Sequence, residues 1–162
     1  MDQDASAQAN AAGRAGARSA TAQAMIEHLR ARTPEPYRDR RPVVRVINVV
    51  GRRSGRPRPF GVNVTAIDGR LYLCSSTRSR DWIRNLLAAG RCRVERDAAD
   101  GSDTERRPVM VEGHEAARAL AVYLPQAGYR DPQLPFEPDA PVEEIERHVH
   151  RTAVVRLDPV DA

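Results

Sequence analysis

Six short runs rich in β-branched and apolar residues, each bounded by turn-forming residues, dominate the chain between Pro42 and Asp158. They cover 43–50, 58–67, 71–75, 92–96, 106–112 and 152–157. Runs of this length and composition predict strands. Asp68-Gly69, between the second and third, is a strong signal for a two-residue hairpin, because both residues tolerate positive φ. Hairpin spacing with few helices predicts a mainly β, six-stranded antiparallel sheet rather than a parallel α/β one. Closing that sheet into a barrel removes its exposed edges. A length of 162 residues fits one such domain and a tail.

The flanking segments follow other rules. Residues 1–20 are alanine, glycine and polar residues with little to bury, and are expected to form a disordered tail. Within 21–41, Met25, Ile26 and Leu29 share one face of a predicted helix that ends before Pro34 and Pro36. The barrel domain is expected over 42–158, with 159–162 as a C-terminal tail. Inside it, Ser79 is the predicted N-cap of a helix with Asp81 in its first turn. Trp82, Ile83, Leu86 and Leu87 form its apolar stripe, and Gly90 ends it. A second helix is expected over 115–124 and a short acidic one over 142–148, separated by an irregular, proline-rich stretch.

Charge is unevenly placed. All 26 basic residues are arginine, a bias that base composition explains as well as chemistry does, so position has to carry the argument. Residues 38–96 hold 15 arginines and 4 acids, a net +11, whereas 97–162 hold 7 arginines and 14 acids, a net −7. A strongly basic segment concentrates anionic ligands, and the acidic half makes +11 an upper limit on the patch. Cys74 and Cys92 are too few for a disulfide framework and read as structural thiols. The acidic start contains no signal-peptide pattern, and no run approaches the roughly 20 apolar residues that span a bilayer. A cytoplasmic protein is expected.

The segment Gly51-Arg52-Arg53-Ser54-Gly55-Arg56-Pro57-Arg58 closes the first strand-like run. After it come Asp68-Gly69-Arg70-Leu71-Tyr72-Leu73 and Trp82-Ile83-Arg84-Asn85-Leu86. In this order and spacing the three pieces resemble the deazaflavin-dependent nitroreductase family. The resemblance implies a split β-barrel of the type shared with FMN-binding pyridoxamine-phosphate oxidases. It also implies coenzyme F420, an 8-hydroxy-5-deazaflavin bearing a phosphate and an oligoglutamate tail, whose reduced form gives hydride to quinones, nitro compounds or related acceptors. Carried onto this chain, it places Arg52, Arg53, Ser54, Arg56 and Arg58 along the anionic tail. Ser75, Ser76, Arg78, Arg80, Arg84 and Asn85 are expected at a second contact region, after the third strand. The loop at 76–79 is shorter than in well-known members and lacks their lysine, so Arg78 or Arg80 is expected to supply that cation. Tyr129 is the candidate catalytic proton donor, and Tyr123 reads as a half-buried aromatic.

The residues fit a polyanion on physical grounds as well. Gly51 and Gly55 allow a tight turn, its amides can form an anion nest, and arginine forks add charge-assisted bonds. Asn85 is open between ligand contact and bracing, and Trp82 reads as core. His148 and His150 flank the last expected strand at an i, i+2 spacing that would face them the same way in extended chain, but no further ligands suggest a metal. His114 is expected near a helix start without a chemical role. Three alternatives remain: an FMN-binding or haem-related split barrel, FMN having one phosphate and needing no extended basic strip; a chain that binds the deazaflavin without turnover; or a non-enzymatic nucleic-acid module. The pI of about 9.7 invites the last, and the absence of an interleaved aromatic series argues against it. The expected partner is a small-molecule electron acceptor, with a homodimer left open.

Overall fold

The computed structural model describes residues 20–127 and 131–160. Its elements, in order, are α1 (20–31), β1 (Pro42–Asn48), β2 (Phe60–Ile67), β3 (Arg70–Ser75), α2 (Asp81–Ala89), β4 (Cys92–Val94), β5 (Thr104–Val111), α3 (Gly113–Tyr123), α4 (Val142–His148) and β6 (Ala153–Pro159). The strands form a closed antiparallel barrel in the order β1-β2-β3-β6-β5-β4. The short β4 closes it by pairing with the end of β1, Ile47 opposite Val94 and Asn48 opposite Arg93. The six-stranded antiparallel barrel expected from the sequence is therefore the fold.

Alternation of side chains sends every second residue inward. Val64 and Ala66 of β2, Leu71 and Leu73 of β3, and Val155 and Leu157 of β6 fill the interior with Ile47 and Val94. α2 adds Ile83 and Leu86 to the same cluster. Full burial of each such valine, leucine or isoleucine side chain contributes about 1.5–3 kcal/mol. The opposite faces are not left to solvent. Tyr72, Cys74 and Val154 point outward into a second core, where Ala116, Ala117 and Leu120 of α3 and Ile145 of α4 cover them. Two-sided burial explains why several strands read as nearly continuous apolar runs.

Asp68 (φ 50°) and Gly69 (φ 77°) both occupy the left-handed region, as the hairpin between β2 and β3 requires. Elsewhere the boundaries shift. β4 stops at Val94 because the chain turns at Arg96 (φ 53°), whose amide donates to Asp103 Oδ1. The start of α2 is also corrected. Its N-cap is Arg80, with no side-chain cap, while Ser79 bonds within its own loop to Thr77 Oγ1. His148 lies in the last turn of α4 and His150 in the following 3-10 turn, so they are not strand neighbours. β6 begins only at Ala153, after Thr152 has donated both its amide and its hydroxyl to the Val149 carbonyl.

α1 packs across the barrel wall at β2. Gly61 makes the approach close: a Cβ there would meet Leu29 Cδ1 at 3.1 Å and Met25 Sδ at 3.3 Å. Arg96 donates to the carbonyls of Arg32 and Leu29 at the helix end, and Arg30 pairs with Glu95 at 2.7 Å. The expected tail over 1–19 lies outside the described residues.

Candidate functional site

The turn between β1 and β2 is built by its own backbone. Gly51 N–H donates to Arg56 O (2.8 Å), Gly55 N–H to Gly51 O (2.9 Å) and Arg58 N–H to Val49 O (2.7 Å). Gly55 has φ 67°, and a Cβ on Gly51 would come within 2.8 Å of Ser54 Oγ. Gly55 is thus set by the turn's backbone, and a side chain at Gly51 would make Ser54 shift. The Ser54 hydroxyl accepts from the Arg56 amide and so stabilises the loop.

α2 grips this turn from the side. Asn85 Oδ1 accepts from both the backbone N–H of Arg52 (3.2 Å) and its Nη1 (2.8 Å). Arg52 Nη2 reaches Asp81 Oδ1 at 3.2 Å. Between turn and helix lies a cleft of about 330 Å³ lined by Gly51, Arg52, Arg53, Ser54, Arg58, Asp81 and Asn85. Arg53, Arg56 and Arg58 on the turn and Arg84 on α2 are exposed, and no ion pair holds their side chains among the described residues. The hairpin end of the barrel therefore presents uncompensated guanidinium groups around an open cleft.

A second cleft, of about 220 Å³, lies on the other side of the α2 N-terminus. Gly61, Val62 and Asn63 of β2 form one wall, Ser75, Ser76 and Arg80 another, and Tyr123, Leu124, Asp131 and Leu134 the far side. Trp82 stands at its edge, half-buried and packed against the barrel core, with its ring stacked on Phe60, centroids 5.4 Å apart. Asn63 Nδ2 lies 3.4 Å from the Tyr123 hydroxyl. Ser76 donates to Asp131, and this bond leads the causes that hold the Asp131 carboxyl below the usual range. Arg80 sits 3.7 Å from the same carboxylate. Cys74 also lines this cleft, but burial pushes its thiol up to about 12, which makes it a poor nucleophile.

Of the residues expected to contact a cofactor, Arg52, Arg53, Ser54, Arg58 and Asn85 gather at the first cleft, and Ser75, Ser76 and Arg80 at the second. Arg78 lines neither. Its guanidinium donates to the Thr152 carbonyl and to Glu112, tying the loop to the β5–β6 side of the barrel. Tyr129 lies outside the described residues. Asn63 and Asp131 were not anticipated. Asn63 sits inside an ordinary strand and Asp131 in an irregular stretch, and neither carries a sequence signal.

The sequence model of a family described as F420H(2)-dependent quinone reductase matches residues 17–143. The chain belongs to this family. It is thus a member of the split-barrel flavin/deazaflavin oxidoreductase superfamily. No curated protein matches it. Among solved structures, a chain described as a domain-swapped dimer is 13% identical to this reductase-family member, with 92% of this chain and 98% of that one covered and a TM-score of 0.51. A conserved hypothetical protein from Mycobacterium tuberculosis is 17% identical, with 73% of each chain covered and a TM-score of 0.49. The heme storage protein HutZ from Vibrio cholerae is 12% identical, with 74% and 82% covered and a TM-score of 0.47. At 13% identity the first of these likenesses is one of fold alone. Among the described residues no helix is long and apolar enough to cross a membrane, and no group of three or more His, Cys, Asp or Glu is placed to hold a metal ion.

Proposed function

We propose that this quinone-reductase-family chain binds reduced coenzyme F420 across both clefts and passes its hydride to a quinone or nitro compound. The observation that carries the reading is the set of uncompensated guanidinium groups on the hairpin turn, beside a second cleft that is part polar and part apolar. A phosphate followed by several carboxylates needs an extended cationic surface. Arg53, Arg56 and Arg58 offer one, and the turn held by Asn85 keeps it in place.

When bound, the deazaflavin supplies the hydride chemistry, and the protein's work is to orient and shield. In this reading the Phe60–Trp82 pair, with Leu124 and Leu134, excludes water from the second cleft. Ser75, Ser76 and Arg80 give it polar contacts on the α2 side. Tyr129 is assigned as the group that delivers a proton to the acceptor. Arg84 and Arg56 lie outside the cleft linings and serve as peripheral charge for a long tail. Arg78 acts on the loop instead, through its bonds to Glu112 and Thr152.

Anaerobic mixing of the chain with reduced coenzyme and a benzoquinone or nitroaromatic acceptor tests the reading. Oxidised coenzyme is expected to appear at a rate proportional to protein concentration. Oxidation no faster than in protein-free controls, across both acceptor classes, contradicts it.

A further inference from the structure

The hairpin cleft contains one carboxylate that a polyanion site does not need. Asp81 stands at its lip with its side chain 83% exposed, and among the described residues its one ionic partner is Arg52 Nη2 at 3.2 Å. Arg52 does not depend on that contact. Its side chain is only 20% exposed, and Asn85 Oδ1 already accepts from its amide and its Nη1. Asp81 also occupies the first turn of α2, where the aligned backbone N–H groups favour negative charge. Two features that attract an anion, the outer edge of Arg52 and the helix start, therefore face a carboxylate the chain itself supplies.

We infer that Asp81 is a displaceable internal counter-ion that sets the charge selectivity of the cleft. An anionic group of the ligand takes over the Arg52 Nη2 edge, and Asp81 swings out into solvent, which its exposure permits. The carboxylate repels the charged tail and not the chromophore, so Asp81 limits the affinity that a polyanionic tail can draw from the cleft. This inference rests on the cofactor reading above and adds a residue that tunes it.

Asp81→Asn keeps an amide oxygen for Arg52 and removes the charge, and Asp81→Ser is a second variant suited to a helix start. Fluorescence titrations would compare two ligands: oxidised coenzyme F420 and its chromophore lacking phosphate and glutamates. The double variant Arg53→Ala/Arg58→Ala is titrated alongside. Asp81→Asn is expected to tighten the coenzyme by about three- to tenfold at low salt, the scale for an exposed charge a few ångströms from an incoming anion. Chromophore affinity should stay unchanged, and the gain should shrink at high salt. Unchanged or weaker coenzyme binding in both Asp81 variants, with the arginine variant still impaired, overturns the counter-ion role and leaves the cofactor reading standing. Equal tightening of the chromophore overturns it too. Failure of the parent chain to bind the coenzyme at all overturns the cofactor reading, and this inference with it.

Discussion

Asn85 shows how a single side chain can position a charged site without contributing charge. Its carbonyl oxygen takes two donors from Arg52, one from the main chain and one from the guanidinium, and so fixes the turn against α2. From sequence, ligand contact and bracing were equally open for this residue, because the choice depends on a partner 33 positions away. Replacing Asn85 with Ala leaves a half-buried amide without its acceptor. It is expected to cost about 1–3 kcal/mol in denaturant unfolding and to weaken coenzyme binding through loss of the turn geometry. An Asn85→Ala chain with unchanged stability would mean that the turn holds itself. Cys92 resembles Cys74 in being buried, and its thiol is also pushed up to about 12 by that burial, in spite of its arginine neighbours.

At the scale of elements, α1 is attached to the barrel mainly through polar contacts, since only Ile26 of its apolar face is fully buried. Arg30 Nε and Nη2 donate to the two oxygens of Glu95, and Asn48 Nδ2 donates to the same carboxylate at 2.7 Å. The Arg30 hydrogen bond is the largest cause that holds the Glu95 carboxyl below the usual glutamate range. A depressed folded value means the stabilisation is complete above the unfolded glutamate pKa of about 4.3 and is lost as pH falls through the folded one. Amide exchange in 20–31 is therefore expected to accelerate selectively as pH drops below about 4, relative to the intrinsic rate, and to be already fast at pH 7 in Glu95→Gln. Equal protection of α1 and the barrel strands down to pH 3 would contradict this. The existence of α1 was legible in the spacing of Met25, Ile26 and Leu29. Its docking was not, because Arg30 and Glu95 are 65 residues apart. The strands, the Asp68-Gly69 hairpin and the Gly90 stop were legible for the opposite reason, being fixed by local chemistry. Ser79 misled because a hydroxyl within the loop, Thr77 Oγ1, competed for it.

Across the whole molecule, the acidic half neutralises the basic segment selectively. Glu112 pairs with Arg78, Glu105 with Arg91, Asp103 with Arg93, Glu115 with Arg70, and Asp131 with Arg80. None of these acids reaches the hairpin turn, so the net +11 of the sequence is reduced elsewhere and persists around Arg53, Arg56 and Arg58. Where the positive charge would remain could not be read in full from the sequence, since Arg70–Glu115, Arg78–Glu112 and Arg80–Asp131 each join distant segments. In the proposed function this remaining charge selects a polyanionic deazaflavin, and parallel fluorescence titration with oxidised coenzyme F420 and with FMN checks that selection. Saturable binding of the coenzyme is expected, with weaker binding of FMN and a coenzyme affinity that falls with salt and with Arg53→Ala/Arg58→Ala. Equal or tighter binding of FMN, indifferent to salt and to both arginines, would contradict it.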